Sequence, residues 1–256
     1  MAHELSHKKL SILKNSNGNA LVLILVLIAL LAALTTVAMR SSSRITSNMD
    51  VETARIQGEK LMRQAKSFES GIGQMMSANQ CSGNDVNFVN ATTTRVYTNA
   101  NSPASKACDL FALEGAGLSY NNPNSVVLDS SQLARSDFGQ WVFTASHCVL
   151  GLGSDDNNTC INSEIALIAI VPHINLTTCL QINNLNNITN PSGVPPEESY
   201  DETAPTFSGT YTAITDPELG ETASGLPLVG HTTGCFKNTS GVWTNSYIFY
   251  HVLIAR

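Results

Sequence analysis

Basic side chains are scarce in most of this chain. Only five of its fourteen Lys and Arg residues lie beyond Cys81, against fifteen of its twenty acids, so that portion carries a formal charge of about −10. A surface of that sign repels phosphate backbones, which excludes nucleic acid as a partner. Cysteine is absent from the first 80 residues, and no C-x-x-C pair occurs anywhere. That removes the common zinc and dithiol redox motifs. Proline is absent from Asn19 to Asn79, and charge is absent from Ala20 to Met39. The first absence permits an uninterrupted helix. The second leaves a run of twenty residues, about 30 Å as a helix, matching the thickness of a bilayer's hydrocarbon core.

The six cysteines that are present, Cys81, Cys108, Cys148, Cys160, Cys179 and Cys235, all follow the apolar run. An even number beyond a membrane-type segment indicates three disulfides formed in an oxidising compartment. Six cysteines allow fifteen pairings. Sequential pairing is favoured by the turn-forming residues from Gly151 to Asn158, which Cys148 and Cys160 bracket.

Lys8, Lys9 and Lys14 precede the apolar run, so the positive-inside bias retains the leader in the cytoplasm and exports the remainder. Arg40 and Arg44 on the far side oppose that bias, and the cysteines decide for export. Beyond Arg40, Ile45, Met49, Ile56, Leu61, Ala65, Phe68, Ile72 and Met75 recur mostly at spacings of three and four among polar residues. This is the pattern of an amphipathic helix. The simplest structure over Asn19 to Asn79 is one helix of about 85 to 90 Å, with Gly58, Gly71 and Gly73 as its weak points.

Gly18-Asn19-Ala20-Leu21-Val22, the apolar run, and then Val37-Ala38-Met39-Arg40-Ser41-Ser42 together resemble the amino-terminal segment of the type IV pilin-like family, especially its minor pilins and pseudopilins. The resemblance is limited to about residues 1–80. It implies a prepilin peptidase cutting after Gly18, so that Asn19 becomes the mature amino terminus. It also implies a membrane and assembly helix that includes Ala20, Leu21, Val22, Leu23, Leu27 and Leu31, with other pilin-like subunits as partners. The family's glutamate at the fifth mature position is replaced by Leu23. A carboxylate within hydrocarbon is costly unless paired. Its loss eases membrane residence and removes a docking contact, which suits a minor or initiating subunit better than the main one.

The resulting expectation is an α+β protein, pilin-like, in which a long helix with a membrane half and an amphipathic half packs on a sheet-rich, disulfide-bonded domain. Its divisions are a leader (1–18), a transmembrane or filament-core helix (19–39), an amphipathic continuation (40–80) and an exported β-rich domain (81–256). The expected location is the bacterial inner membrane, single-pass with the carboxy-terminal domain periplasmic, and the cell surface or a pilus after assembly. The expected function is assembly into, or priming of, a type IV pilus or type II secretion-like filament, without catalysis. Two alternatives remain open: a signal peptide ending at Thr36-Val37-Ala38, and a plain signal anchor carrying a binding domain with no filament role.

Composition shifts to Asn, Ser, Thr and Gly after Cys81. Strands are expected at Val86–Val89, Thr94–Tyr97, Ser125–Leu128, Gln140–Thr144, Glu164–Val171, Gly209–Ile214 and Tyr247–Ile254. A short helix is expected at Leu176–Leu185, N-capped by Asn175. The proline- and acid-rich stretch 190–207 reads as an exposed loop.

Two chemical motifs stand out. Trp141 to Cys148 (WVFTASHC) resembles the histidine segment of trypsin-like proteases, which would make His147 a base, Glu164 its orienter and Ser224 a nucleophile. The glycine and aspartate expected before such a serine are absent, with Thr222-Ala223 in their place, and a half-buried strand-end histidine is the simpler reading. Asp155, Asp156 and Asn157 offer hard oxygen ligands for calcium, although the EF-hand's glycine and terminal glutamate are missing. No other cofactor is indicated. His173, His231 and His251 share no metal-ligand spacing and read as structural.

Overall fold

The computed structural model describes residues 19–153, 160–201, 203–215, 218–221 and 226–256. Helix α1 runs over Asn19–Ala78. The chain divides into two compact units, Met1–Met49 and Asp50–Arg256. In the first unit, Val22–Ile28, Leu30 and Leu31 are each between 53 and 67% exposed.

The second unit is built on a six-stranded sheet. Its strands are β1 (Val142–Val149), β2 (Ala166–Ile174), β3 (Glu197–Glu198), β4 (Glu218–Leu219), β5 (Thr233–Asn238) and β6 (Tyr247–Ile254), in the spatial order β3-β5-β6-β2-β1-β4. The central ladder β5-β6-β2-β1 is antiparallel, and the two short edge strands pair in parallel. Strand β2 is buried along its whole length, and β1 is as well. Their near-continuous apolar sequences reflect that both faces of the sheet are covered.

On one face, Phe143, Leu167, Ala169, Val171, Phe249 and Leu253 pack with Leu61, Ala65, Phe68, Ile72 and Met75 of α1. The ring of Phe68 stands edge-on to Trp141 at 5.1 Å and to Phe143 at 5.7 Å. Gly71 permits the 110–118 segment to approach α1 closely: a Cβ there would lie 2.9 Å from Leu118 Cδ1 and 3.1 Å from Ala116 Cβ. On the other face, Ile168, Ile170, Ile248, Tyr250 and Phe236 pack with Tyr200, Leu219, Leu228 and Trp243. Those four covering residues come from connections and a two-residue strand rather than from a second layer of long elements.

Helix α2 (Leu176–Leu185) has the expected bounds, and the Asn175 side chain accepts a hydrogen bond from the Thr178 amide. It is tied to β5 by the Cys179–Cys235 disulfide and by Asn183, whose side chain bonds both the amide and the carbonyl of Cys235 at 2.9 Å. The other disulfides are Cys81–Cys108 and Cys148–Cys160, so the pairing is sequential.

The expected pilin-like fold class, with a membrane half and an amphipathic half of one helix laid on a sheet-rich domain, is corrected by these observations. Among the described residues no helix is long and apolar enough to cross a membrane. The sheet is buried on both faces rather than resting one face on a single helix.

Several strand boundaries also differ. The 86–89 segment makes only the Asn87–Asp109 bridge, and Ser125–Val127 is a 3-10 turn because the Asn124 side chain holds the Val126 amide. Residues 94–97 and 209–214 form no strand, although Thr212 donates its amide to the Ala145 carbonyl at the edge of β1. High β-propensity does not by itself supply a ladder partner. The 190–207 stretch is not simply an exposed loop. Glu198 and Tyr200 are buried, and β3 pairs with β5.

Candidate functional site

Gly18, Asp155, Asp156, Asn157 and Ser224 lie outside the described residues. Asn19, Ala20 and Leu21 lie in the first turns of α1, followed by Val22, Leu23, Leu27 and Leu31. Leu23 is 67% exposed. Among the described residues no group of three or more His, Cys, Asp or Glu side chains could hold a metal ion.

His147 and Glu164 are not brought together as a catalytic pair. Strand β1 carries His147 into the core, where its ring stacks on Tyr200 at 4.4 Å and neither nitrogen has a hydrogen-bond partner among the described residues. Burial pushes its pKa down to about 3, partly offset by the charge of Asp201. Glu164 instead accepts a hydrogen bond from the Ile161 amide at 3.0 Å, closing a turn. His173 is structural. Its two nitrogens bond Ser246 Oγ at 2.9 Å and the Ser136 carbonyl at 3.0 Å, and Phe138 and Trp243 flank its ring.

His251 differs from both in facing a pocket. Strand β6 places it beside β5 and beneath α1. Its Nδ1 lies 2.5 Å from Thr233 Oγ1, and its Nε2 lies 2.9 Å from Glu69 Oε2. The Lys66 ammonium donates to both oxygens of Glu69 at 2.7 Å. Burial lowers the His251 pKa and outweighs the opposing influence of Glu69, so the ring is neutral at pH 7. With Nε2–H donating to the carboxylate, Nδ1 is left as the acceptor for the Thr233 hydroxyl.

Thr233, His251 and Lys66 line a pocket of about 310 Å³ together with Glu59, Met62, Arg63 and Asn186. Sequence reasoning missed the cluster because Glu69 and His251 are 182 positions apart, and no spacing rule links a helix residue to a strand residue at that distance.

No protein-family profile, curated protein or solved structure matches this chain.

Proposed function

We propose that this chain is an assembly subunit of the minor pilin or pseudopilin kind, which carries the disulfide-bonded unit 50–256 as an exported domain. The observation that carries this reading is the apolar stretch of α1 from Val22 to Leu31, exposed on every side of the helix. A helix that is apolar all round is a buried element in its working state, whether among other helices or in lipid. The stretch belongs to the uncharged run Ala20 to Met39, and packing among equivalent helices would cover it. The three disulfides support export to an oxidising compartment. The Gly18–Asn19 junction supplies the processing step that would free the helix to assemble, with a prepilin peptidase and the inner membrane as the partners of that step.

Determining the amino terminus of the mature protein tests this reading. Asn19 is the expected result. An intact Met1 would reduce the chain to a signal-anchored domain, and a terminus at Met39 would make it a released one.

A further inference from the structure

An acid, a base and a hydroxyl stand in series at the pocket beneath α1, and this cluster is independent of the assembly reading. We propose that it is a hydrolytic site for small esters, with Thr233 as nucleophile, His251 as its base and Glu69 as the positioning residue that holds the imidazole. The three side chains come from three separate elements and meet at 2.5 and 2.9 Å, within the range that links nucleophile to base and base to orienter. Such constellations are defined by geometry and role rather than by order along the chain. Here the two ring nitrogens are used in the opposite sense to the familiar serine arrangement, Nδ1 facing the hydroxyl. Which nitrogen accepts is set by the hydrogen bond the other makes, here Nε2 to Glu69.

The chemistry closes without any redox partner. Thr233 Oγ1 attacks the ester carbonyl carbon and forms a new C–O bond while its proton passes to His251 Nδ1. Collapse of the tetrahedral intermediate breaks the bond to the alcohol oxygen, which takes that proton and leaves as the free alcohol. A water molecule then attacks the acyl-threonine, giving one proton to His251. Cleavage of the acyl–Thr233 bond releases the carboxylic acid, and the proton returns from His251 to Oγ1. Arg63 lines the same pocket and brings positive charge to it, while the Lys66 ammonium is held on Glu69. The roughly 310 Å³ of space, open to solvent, accommodates a short acyl group with a compact alcohol. The hydrogen bond from His251 Nε2 to Glu69 is the contact that would support the imidazolium when Nδ1 takes the proton.

The test uses the full chain with p-nitrophenyl acetate as probe, and a fluorophosphonate as a covalent label. Wild-type protein is expected to release nitrophenol above the buffer rate and to carry the label on the peptide containing Thr233. Thr233→Val keeps the shape of the residue without its hydroxyl, and is expected to lose at least about a hundredfold in kcat/KM and all labelling; it also leaves the buried His251 Nδ1 unpaired, so a lowered melting temperature is expected, with circular dichroism showing it folded at the assay temperature. Thr233→Ser should retain both activities. Glu69→Gln preserves a hydrogen-bonding side chain but not the charge, and should lower kcat and shift the pH–rate profile of kcat/KM. Turnover by Thr233→Val equal to wild type, or a label found only on other residues, would overturn the assignment.

Discussion

His147 and His251 are both buried on strands of one sheet, yet their neighbours give them different consequences. The His147 ring is stacked on a tyrosine, with both nitrogens unpaired among the described residues. Folding therefore requires the neutral ring. Its folded pKa, about 3, lies well below the unfolded value near 6.5, so the unfolded state binds the extra proton as pH falls. Stability is full above about pH 6.5 and declines between there and about pH 3, by on the order of a few kcal/mol. Burial lowers the pKa of His173 and His251 as well, in the same direction. Replacing His147 by Phe keeps a stacked ring and removes the unpaired nitrogens. We expect urea denaturation to show about 1–2 kcal/mol more stability at pH 7, and a flatter loss between about pH 6.5 and 4. A variant whose acid sensitivity matched wild type would place the titration elsewhere.

Also at this scale, two glycines of α1 that look equivalent in sequence separate cleanly. A Cβ at Gly73 meets nothing within 4 Å, so Gly73→Ala should stabilise by about 0.5–1 kcal/mol through helix propensity alone. At Gly71 the new methyl meets Leu118, Ala116 and Leu110 at 2.9 to 3.1 Å. Overpacking there should leave Gly71→Ala about 1–3 kcal/mol less stable than Gly73→Ala, read as a difference in thermal midpoint.

At the scale of elements, β6 has the most to lose. It is hydrogen-bonded to β5 on one side and β2 on the other, and its residues contribute to both faces of the core. Its sequence, YIFYHVLI, is apolar enough to announce a central strand, and the expected bounds are those observed. Deleting residues 247–256 should therefore leave no protease-resistant domain. A soluble, compact product would mean that the remaining strands can pair without it. Helix α2 is equally legible, because its Asn175 cap is a local signal. The short edge strands β3 and β4 are not, since two residues contain no periodicity, and their partners Lys237–Asn238 and Cys148–Val149 are distant in the chain.

At the scale of the whole molecule, the three disulfides close loops of 27, 12 and 56 residues. Loop-closure entropy makes the Cys179–Cys235 bridge the most stabilising of the three, at about 4 kcal/mol. It also joins α2 to β5, so its loss exposes the face on which α2 packs. Replacing both cysteines by alanine should lower stability more than removing either other pair, and differential scanning calorimetry of the three double variants gives the ranking. A larger effect from the Cys148–Cys160 pair would show that native contacts, rather than loop length, set the contribution.

Local chemistry determined a good deal of this protein from sequence alone. The apolar run after Asn19, the amphipathic positions that reach the core from Leu61 to Met75, the Asn175 cap and strand β6 each depend on residues close together in the chain. Tertiary structure decided what depends on long-range pairing. The second covered face of the sheet, the burial of Tyr200 within a polar stretch, and the meeting of Glu69, Thr233 and His251 all join residues from separate elements. Sequence records the chemical type of each such residue but not its neighbours, because burial and hydrogen-bond geometry arise only when the sheet and α1 pack together.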